Sequence, residues 1–106
     1  MISVFLETPR SAWRETKMLV IYKYPLPLPN IGEFNLEIPK WFAFISAQLQ
    51  DGIPYLWVRV DKDEEVASIA LHWVATGARV DKDWVYIATI QFGNEFYHLH
   101  CDVWAI

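Results

Sequence analysis

Apolar and polar residues alternate along most of this chain with a period of two, the spacing of half-buried β-strands. Phe34, Leu36 and Ile38 interleave with Glu33, Asn35 and Glu37, which predicts a strand with one wet face, ended by Pro39. Ahead of it, Met18–Tyr24 is rich in β-branched and aromatic residues and reads as the first strand. The Pro-Leu-Pro-Leu-Pro run at 25–29 lacks backbone donors and holds the chain extended. It predicts a stiff edge or crossover segment in preference to a proline-rich recognition ligand. Trp41–Gln50 has the length of a helix, but its alternation and aromatic load favour a strand. Asp51-Gly52 follows, and Asp-Gly between two such runs predicts a tight hairpin returning through Ile53–Val60. Asp61–Glu65 is a charged connection. Val66–Thr76 tolerates helix or strand in its first half, with a strand expected over Leu71–Ala75. Arg79–Asp83 is a second charged turn, Trp84–Phe92 a strand, Gly93-Asn94 a turn, and Phe96–Trp104 the closing strand.

Residues 1–17 break this pattern. Thr8-Pro9 reads as a helix cap followed by a first helical position, so one or two helical turns through Lys17 and a mobile extension are both open. The expected organisation is an N-terminal extension over 1–17 and a single β domain over 18–106. About seven short strands with short connections predict an all-β fold. The expected form is a small antiparallel sandwich or partly open barrel, with room for a short N-terminal helix.

Composition narrows the function classes. With 106 residues and 54% hydrophobic content, a single domain with a folded core is expected and a disordered chain is excluded. Six Trp, five Tyr and six Phe exceed what one small core needs, so some are expected to line a pocket or an interface. Cys101 is the only cysteine, which leaves no intramolecular disulfide and no cysteine-based zinc site, and suits a reducing compartment. A net charge of −4 argues against sequence-independent nucleic-acid binding. No apolar run approaches the ~20 residues that span a bilayer, and Met1–Leu6 is short for a signal segment. The expectation is a soluble cytoplasmic protein with no membrane partner.

Candidate chemistry follows from which side chains share a strand face. His98, His100 and Asp102 lie at period two, and with His72 they have the donor set for a divalent cation. A polar strand face is the stronger reading, so no metal and no cofactor are expected. Cys101 points opposite to His100 and Asp102 and is expected to be an inert core residue. Val60-Asp61-Lys62-Asp63 recurs as Val80-Asp81-Lys82-Asp83, without the remaining ligands of a calcium loop, which predicts a solvated turn used twice. No phosphate-cradling glycine motif is present.

The remaining signal is polar and aromatic. Tyr55, Trp57 and Arg59 alternate on one strand face. Trp73 and Thr76, with Arg79, lie at the end of another strand, and Trp84 and Tyr86 share a face of a third. With His98 and His100 they form the candidate ligand-binding set. Aromatic planes stack on nucleobases and Arg pairs with phosphate, so such a set suits a nucleotide. The competing reading is that these tryptophans fill the core. Phe34 and Trp41 are expected to be buried without functional consequence.

Several segments carry a family resemblance. They are Lys23-Tyr24-Pro25-Leu26, Leu36-Glu37-Ile38-Pro39, the stretch from Ile45 through Gln50-Asp51-Gly52 to Trp57, Ala75-Thr76-Gly77, and Tyr86–Phe92. Together with a strand bearing His98 or His100, they resemble a family of short uncharacterised proteins of phages and prophages. Residues 1–17 depart from that family's usual start. The resemblance implies a phage origin, a small β fold and, by association, a role against bacterial immunity inside the infected cell. The expected function is a non-enzymatic protein that sequesters a nucleotide-derived immune signal, with a homodimer favoured by aromatic-rich β edges. The alternative is a protein–protein inhibitor of a defence complex such as a CRISPR effector. An enzyme using His98, His100 and Asp102 is the weakest reading.

Overall fold

The alternation is realised as seven strands. They are β1 (Leu19–Pro25), β2 (Glu33–Pro39), β3 (Phe42–Gln50), β4 (Ile53–Asp61), β5 (Val66–Ala75), β6 (Trp84–Phe92) and β7 (Glu95–Asp102). The computed structural model describes residues 18–102, so the expected N-terminal helix and the last two residues of the expected closing strand lie outside them. One sheet has the order β1-β4-β3 and the other β2-β5-β7-β6, with every pairing antiparallel. The two sheets form a sandwich, not a closed barrel. The ambiguous first half of β5 is strand throughout, because residues 66–72 pair with all of β2 and tertiary pairing overrides a weak local preference.

The proline run is a crossover, as its stiffness predicts. It leaves β1 in one sheet and enters β2 in the other through a single 3-10 turn at Pro29–Ile31. Along the way Leu26 is buried and its N–H donates to the Pro54 carbonyl at 2.9 Å. Trp73 Nε1 donates to the Pro27 carbonyl at 3.0 Å, and the Trp73 backbone N–H donates to Gly32 at 2.8 Å. A segment poor in donors thus serves as an acceptor for the strand it crosses.

β2 and β3 form one arm of a long ribbon, and β4 and β5 form the other. Its tip is Asp51-Gly52, where both residues have positive φ (54° and 81°), as a tight primed turn requires. The ribbon bends between the Phe42↔Val60 and Pro39↔Val66 pairs, so β2 and β5 lie in the opposite sheet from β3 and β4. Only Lys40 and Trp41 turn the corner on one arm, against Asp61–Glu65 on the other. The Lys40 N–H donates to the Glu65 carbonyl at 2.8 Å and the Asp61 N–H to the Trp41 carbonyl at 3.2 Å. The Lys40 ammonium also meets Glu65 at 2.8 Å, which raises the lysine pKa and lowers that of the carboxyl. Both side chains are solvated, so this pair orients the corner more than it stabilises it. Trp41 sits on this corner and is exposed, contrary to the burial expected from alternation, because the bend interrupts the strand face.

The core lies between the sheets. Pro54, Leu56, Val58 and Val60 project from β4 onto Ile69, Leu71 and Trp73 of β5, with Ile38, Ile90, Leu99 and Cys101 around them. Each such fully buried aliphatic side chain stabilises the fold by roughly 1.5–3 kcal/mol relative to exposure. Phe34 packs against this cluster as expected. Both Val-Asp-Lys-Asp copies form the same local turn, the first closing β4 and the second leading into β6. Asp61 Oδ1 accepts from the Asp63 N–H at 3.0 Å, and Asp81 Oδ1 accepts from the Asp83 N–H at 2.9 Å.

Replacing Gly52 tests the ribbon tip. A Cβ there meets no atom within 4 Å, so the cost is conformational. Gly52→Ala should lose about 1–2 kcal/mol, the left-handed penalty of an L-residue, measured by chemical denaturation. Gly52→Asn, which tolerates that conformation better, should lose less.

Candidate functional site

Strand alternation sorts the outward side chains onto two faces on opposite sides of the sandwich. On the three-stranded sheet, β4 presents Tyr55, Trp57 and Arg59 between β1 and β3. Lys23 stands opposite Trp57, and its ammonium lies 4.5 Å from the Tyr55 ring centroid and 5.9 Å from that of Trp57. The two rings are 6.0 Å apart and tilted by 56°, an open angle over which the cation sits. Lys23 Nζ also donates to Gln50 Oε1 at 3.0 Å. Arg59 lies between Ile21 and Ala43 and is exposed. Neither Lys23 nor Arg59 has an ion-pair partner among the described residues.

The outer face of the four-stranded sheet carries the imidazoles. His72 on β5 stands opposite His100 on β7, and both are less than a tenth exposed although they point away from the core. Trp84 explains that burial. Its indole stacks on the His72 ring at 3.7 Å with an 8° angle and lies 6.4 Å from the His100 ring. Tyr86 meets the other side of His100 edge-on at 5.6 Å. His72 Nε2 is buried and lacks a hydrogen-bond partner, with the nearest Asp102 oxygen 3.7 Å away, beyond hydrogen-bond length.

A chain of hydroxyls and one imidazole crosses the same face. Tyr86 OH, Thr89 Oγ1, His98 Nδ1, His98 Nε2 and Thr76 Oγ1 are linked by successive 2.8 Å contacts. A neutral His98 ring donates from one nitrogen and accepts at the other, so the chain runs in the single direction that its tautomer sets. Thr76 Oγ1 also lies 3.4 Å from the Phe96 carbonyl, a long contact. His100 carries a proton on Nδ1, because that nitrogen faces the His98 carbonyl at 3.1 Å and must donate. Both His98 nitrogens are engaged by threonines, so the His98–His100–Asp102 donor set, the weaker reading of this strand face, is not gathered as a chelate. Among the described residues no three His, Cys, Asp or Glu side chains converge to hold a metal ion.

The ten candidate residues therefore separate. Tyr55, Trp57 and Arg59 share one outer face, and Thr76, Trp84, Tyr86, His98 and His100 share the opposite one. Arg79 sits in the exposed β5–β6 turn. Trp73 belongs to neither face. It lies an odd number of positions from Thr76, so it points inward, is 6% exposed and spends its indole N–H on Pro27. Two residues on these faces were not in the expected set. Lys23 is three strands away in sequence from the residues it joins, and its only local signal was a lone basic residue in an apolar strand. His72 was legible as an outward position on β5, but its place under Trp84 depends on how β5, β7 and β6 are ordered. A hollow of ≈ 330 Å³ lies beside Thr76, lined also by Asn94, Glu95 and Phe96.

Cys101 is buried on the inner face of β7, and burial, with a lesser contribution from Asp102, raises its thiol pKa. Among the described residues no helix is long and apolar enough to cross a membrane. The fold and faces define a small two-sheet β-sandwich with one cationic-aromatic and one imidazole-aromatic outer surface. The chain belongs to the family described as Domain of unknown function (DUF7352), whose family model matches residues 18–104. No curated protein and no solved structure matches it.

Two measurements check this geometry. Side-chain ¹⁵N NMR should show the Nδ1–H tautomer for His100 and one fixed tautomer for His98. Thr89→Val should shift the His98 Nδ1 resonance and cost about 1 kcal/mol, leaving His100 unchanged. Separately, iodoacetamide at mildly alkaline pH should label Cys101 far more slowly in the native than in the unfolded protein. Native stability should fall as pH rises past ~8.5, the unfolded thiol's range, because the unfolded chain releases a proton that the buried thiol retains. Cys101→Ala should remove that slope.

Proposed function

We propose that the protein is a non-enzymatic binding protein that sequesters a small nucleotide-derived signal on the Lys23–Tyr55–Trp57–Arg59 strip. One observation carries this reading. On a chain of net charge −4, two cations without ion-pair partners among the described residues flank two aromatic rings on a single sheet face. Arg59 offers bidentate hydrogen bonds to a phosphate, and Lys23 offers a movable point charge. The rings offer stacking worth ~1–3 kcal/mol per base. Lys23 now covers the rings, so a base displaces its ammonium toward the phosphate. The resemblance to phage and prophage proteins supports placing this role in the evasion of bacterial immunity, within the host cytoplasm.

A second reading has its own support. Tyr86 is exposed beside the His72–Trp84–His100 stack and Phe96 is exposed farther along β7 near Thr76, an aromatic composition typical of protein–protein hot spots. On that reading the four-stranded face blocks a defence complex.

Native mass spectrometry with cyclic nucleotides and ADP-ribose derivatives should show a ligand-sized mass shift, accompanied by a change in Trp fluorescence. Trp57→Ala and Arg59→Ala should each weaken binding about tenfold or more, as expected for the loss of ~1.4 kcal/mol or more. An unshifted mass with every probe would sink the strip reading. In infection assays on a defended host, loss of protection with Tyr86→Ala and Phe96→Ala, but not with Trp57→Ala, would favour the second.

A further inference from the structure

Among the described residues the two open sheets have four edges, and three of these are guarded. β3 and β6 lie side by side, and each carries a bulge, at Ile45 and Ile87. On β2, the bond from the Trp73 N–H to the Gly32 carbonyl sets the hydrogen-bond parity. Phe34, Leu36 and Ile38 turn their backbone groups toward β5, and Glu33, Asn35, Glu37 and Pro39 turn theirs to the open edge. Two carboxylates and a proline protect that edge from further pairing.

β1 is different. The bond from the Leu26 N–H to the Pro54 carbonyl sets its parity, so Tyr22 and Tyr24 bond to β4 while Leu19, Ile21, Lys23 and Pro25 present open backbone groups. The one charge among them, Lys23, is drawn over Tyr55 and Trp57. What remains at the edge is apolar, with Met18 59%, Leu19 41%, Ile21 60% and Tyr22 41% exposed.

We propose that this edge pairs antiparallel with the β1 edge of a second copy, about a two-fold axis at Ile21, to make one six-stranded sheet. Parity and charge select that register. Centring on Ile21 sets Ile21 against its own copy and Leu19 against Lys23 of the second copy, so the open N–H and C=O groups of all three residues are satisfied. Centring on Tyr22 would place Leu19 opposite Pro25, which has no N–H to give. Centring on Lys23 would place two ammoniums face to face. A seven-residue edge with four apolar side chains falls short of the ~1,200 Å² that stable complexes bury, so the dimer is weak and concentration-dependent. Pairing leaves both Lys23–Tyr55–Trp57–Arg59 strips on the same face of the joined sheet, whatever those strips bind.

Sedimentation velocity on the full chain, from about 5 to about 500 µM, should show a reversible monomer–dimer equilibrium. Ile21→Lys should keep the circular dichroism of the wild type and melt only slightly lower, because the new ammonium points to solvent but stands opposite Arg59, and it should weaken the dimer tenfold or more. Amide exchange by NMR should show Leu19, Ile21 and Lys23 protected at high concentration in the wild type and unprotected in Ile21→Lys. The proposal is overturned by a wild type that stays monomeric throughout. It is equally overturned by Ile21→Lys dimerising like the wild type, or by amides at those three positions that exchange equally fast at both concentrations.

Discussion

The bent ribbon of β2–β3 against β4–β5 sets the register of both sheets. Its tip, Asp51-Gly52, pairs Gln50 with Ile53, and the pairing runs through the bulge at Ile45 to Phe42 and Val60. Beyond the corner it resumes at Pro39 and Val66 and continues to Glu33 and His72. A one-residue slip at the tip would exchange the inward Leu56, Val58 and Val60 for Tyr55, Trp57 and Arg59. The buried aliphatic set therefore holds the register, and the register decides which side chains face water. β1 then docks on β4, and β7 and β6 extend from β5. The corner survives because two residues on its inner arm and five on its outer arm can turn between layers while their backbone groups still pair.

Most strands were legible because alternation and turn chemistry agree locally. Asp51-Gly52 and Gly93 supply positive φ where two-residue hairpins need it, and the proline run fits only an extended crossover. The segment left open and the one departure in burial have a common cause. The first half of β5 is strand because β2 lies beside it, and Trp41 is exposed because the ribbon bends under it. Both depend on partners far away in sequence, which no local window contains.

The surplus of aromatic residues resolves into three uses. Trp73 seals the crossover from inside, Trp84 clamps an imidazole on one outer face, and Tyr55 and Trp57 carry a lysine on the other. Their environments differ chemically. On the four-stranded face the hydroxyls of Tyr86, Thr89 and Thr76 and the His98 imidazole satisfy one another, while His72 Nε2 is buried without a partner. The three-stranded face has cations with no carboxylate paired to them among the described residues, which on the proposed reading leaves them for an anion. This contrast favours the Lys23–Arg59 side for a small charged ligand.

By itself, the sequence determined an all-β chain of about seven strands, the hairpin tip, the crossover and the side of each strand on which a residue falls. These follow from local sterics and period-two alternation, which are properties of neighbouring residues. Only the tertiary structure decided which outward faces coincide. Strand order placed Lys23 beside Trp57 and His72 under Trp84, while Trp73 was turned into the core, because sheet pairing joins residues by spatial register and not by distance along the chain.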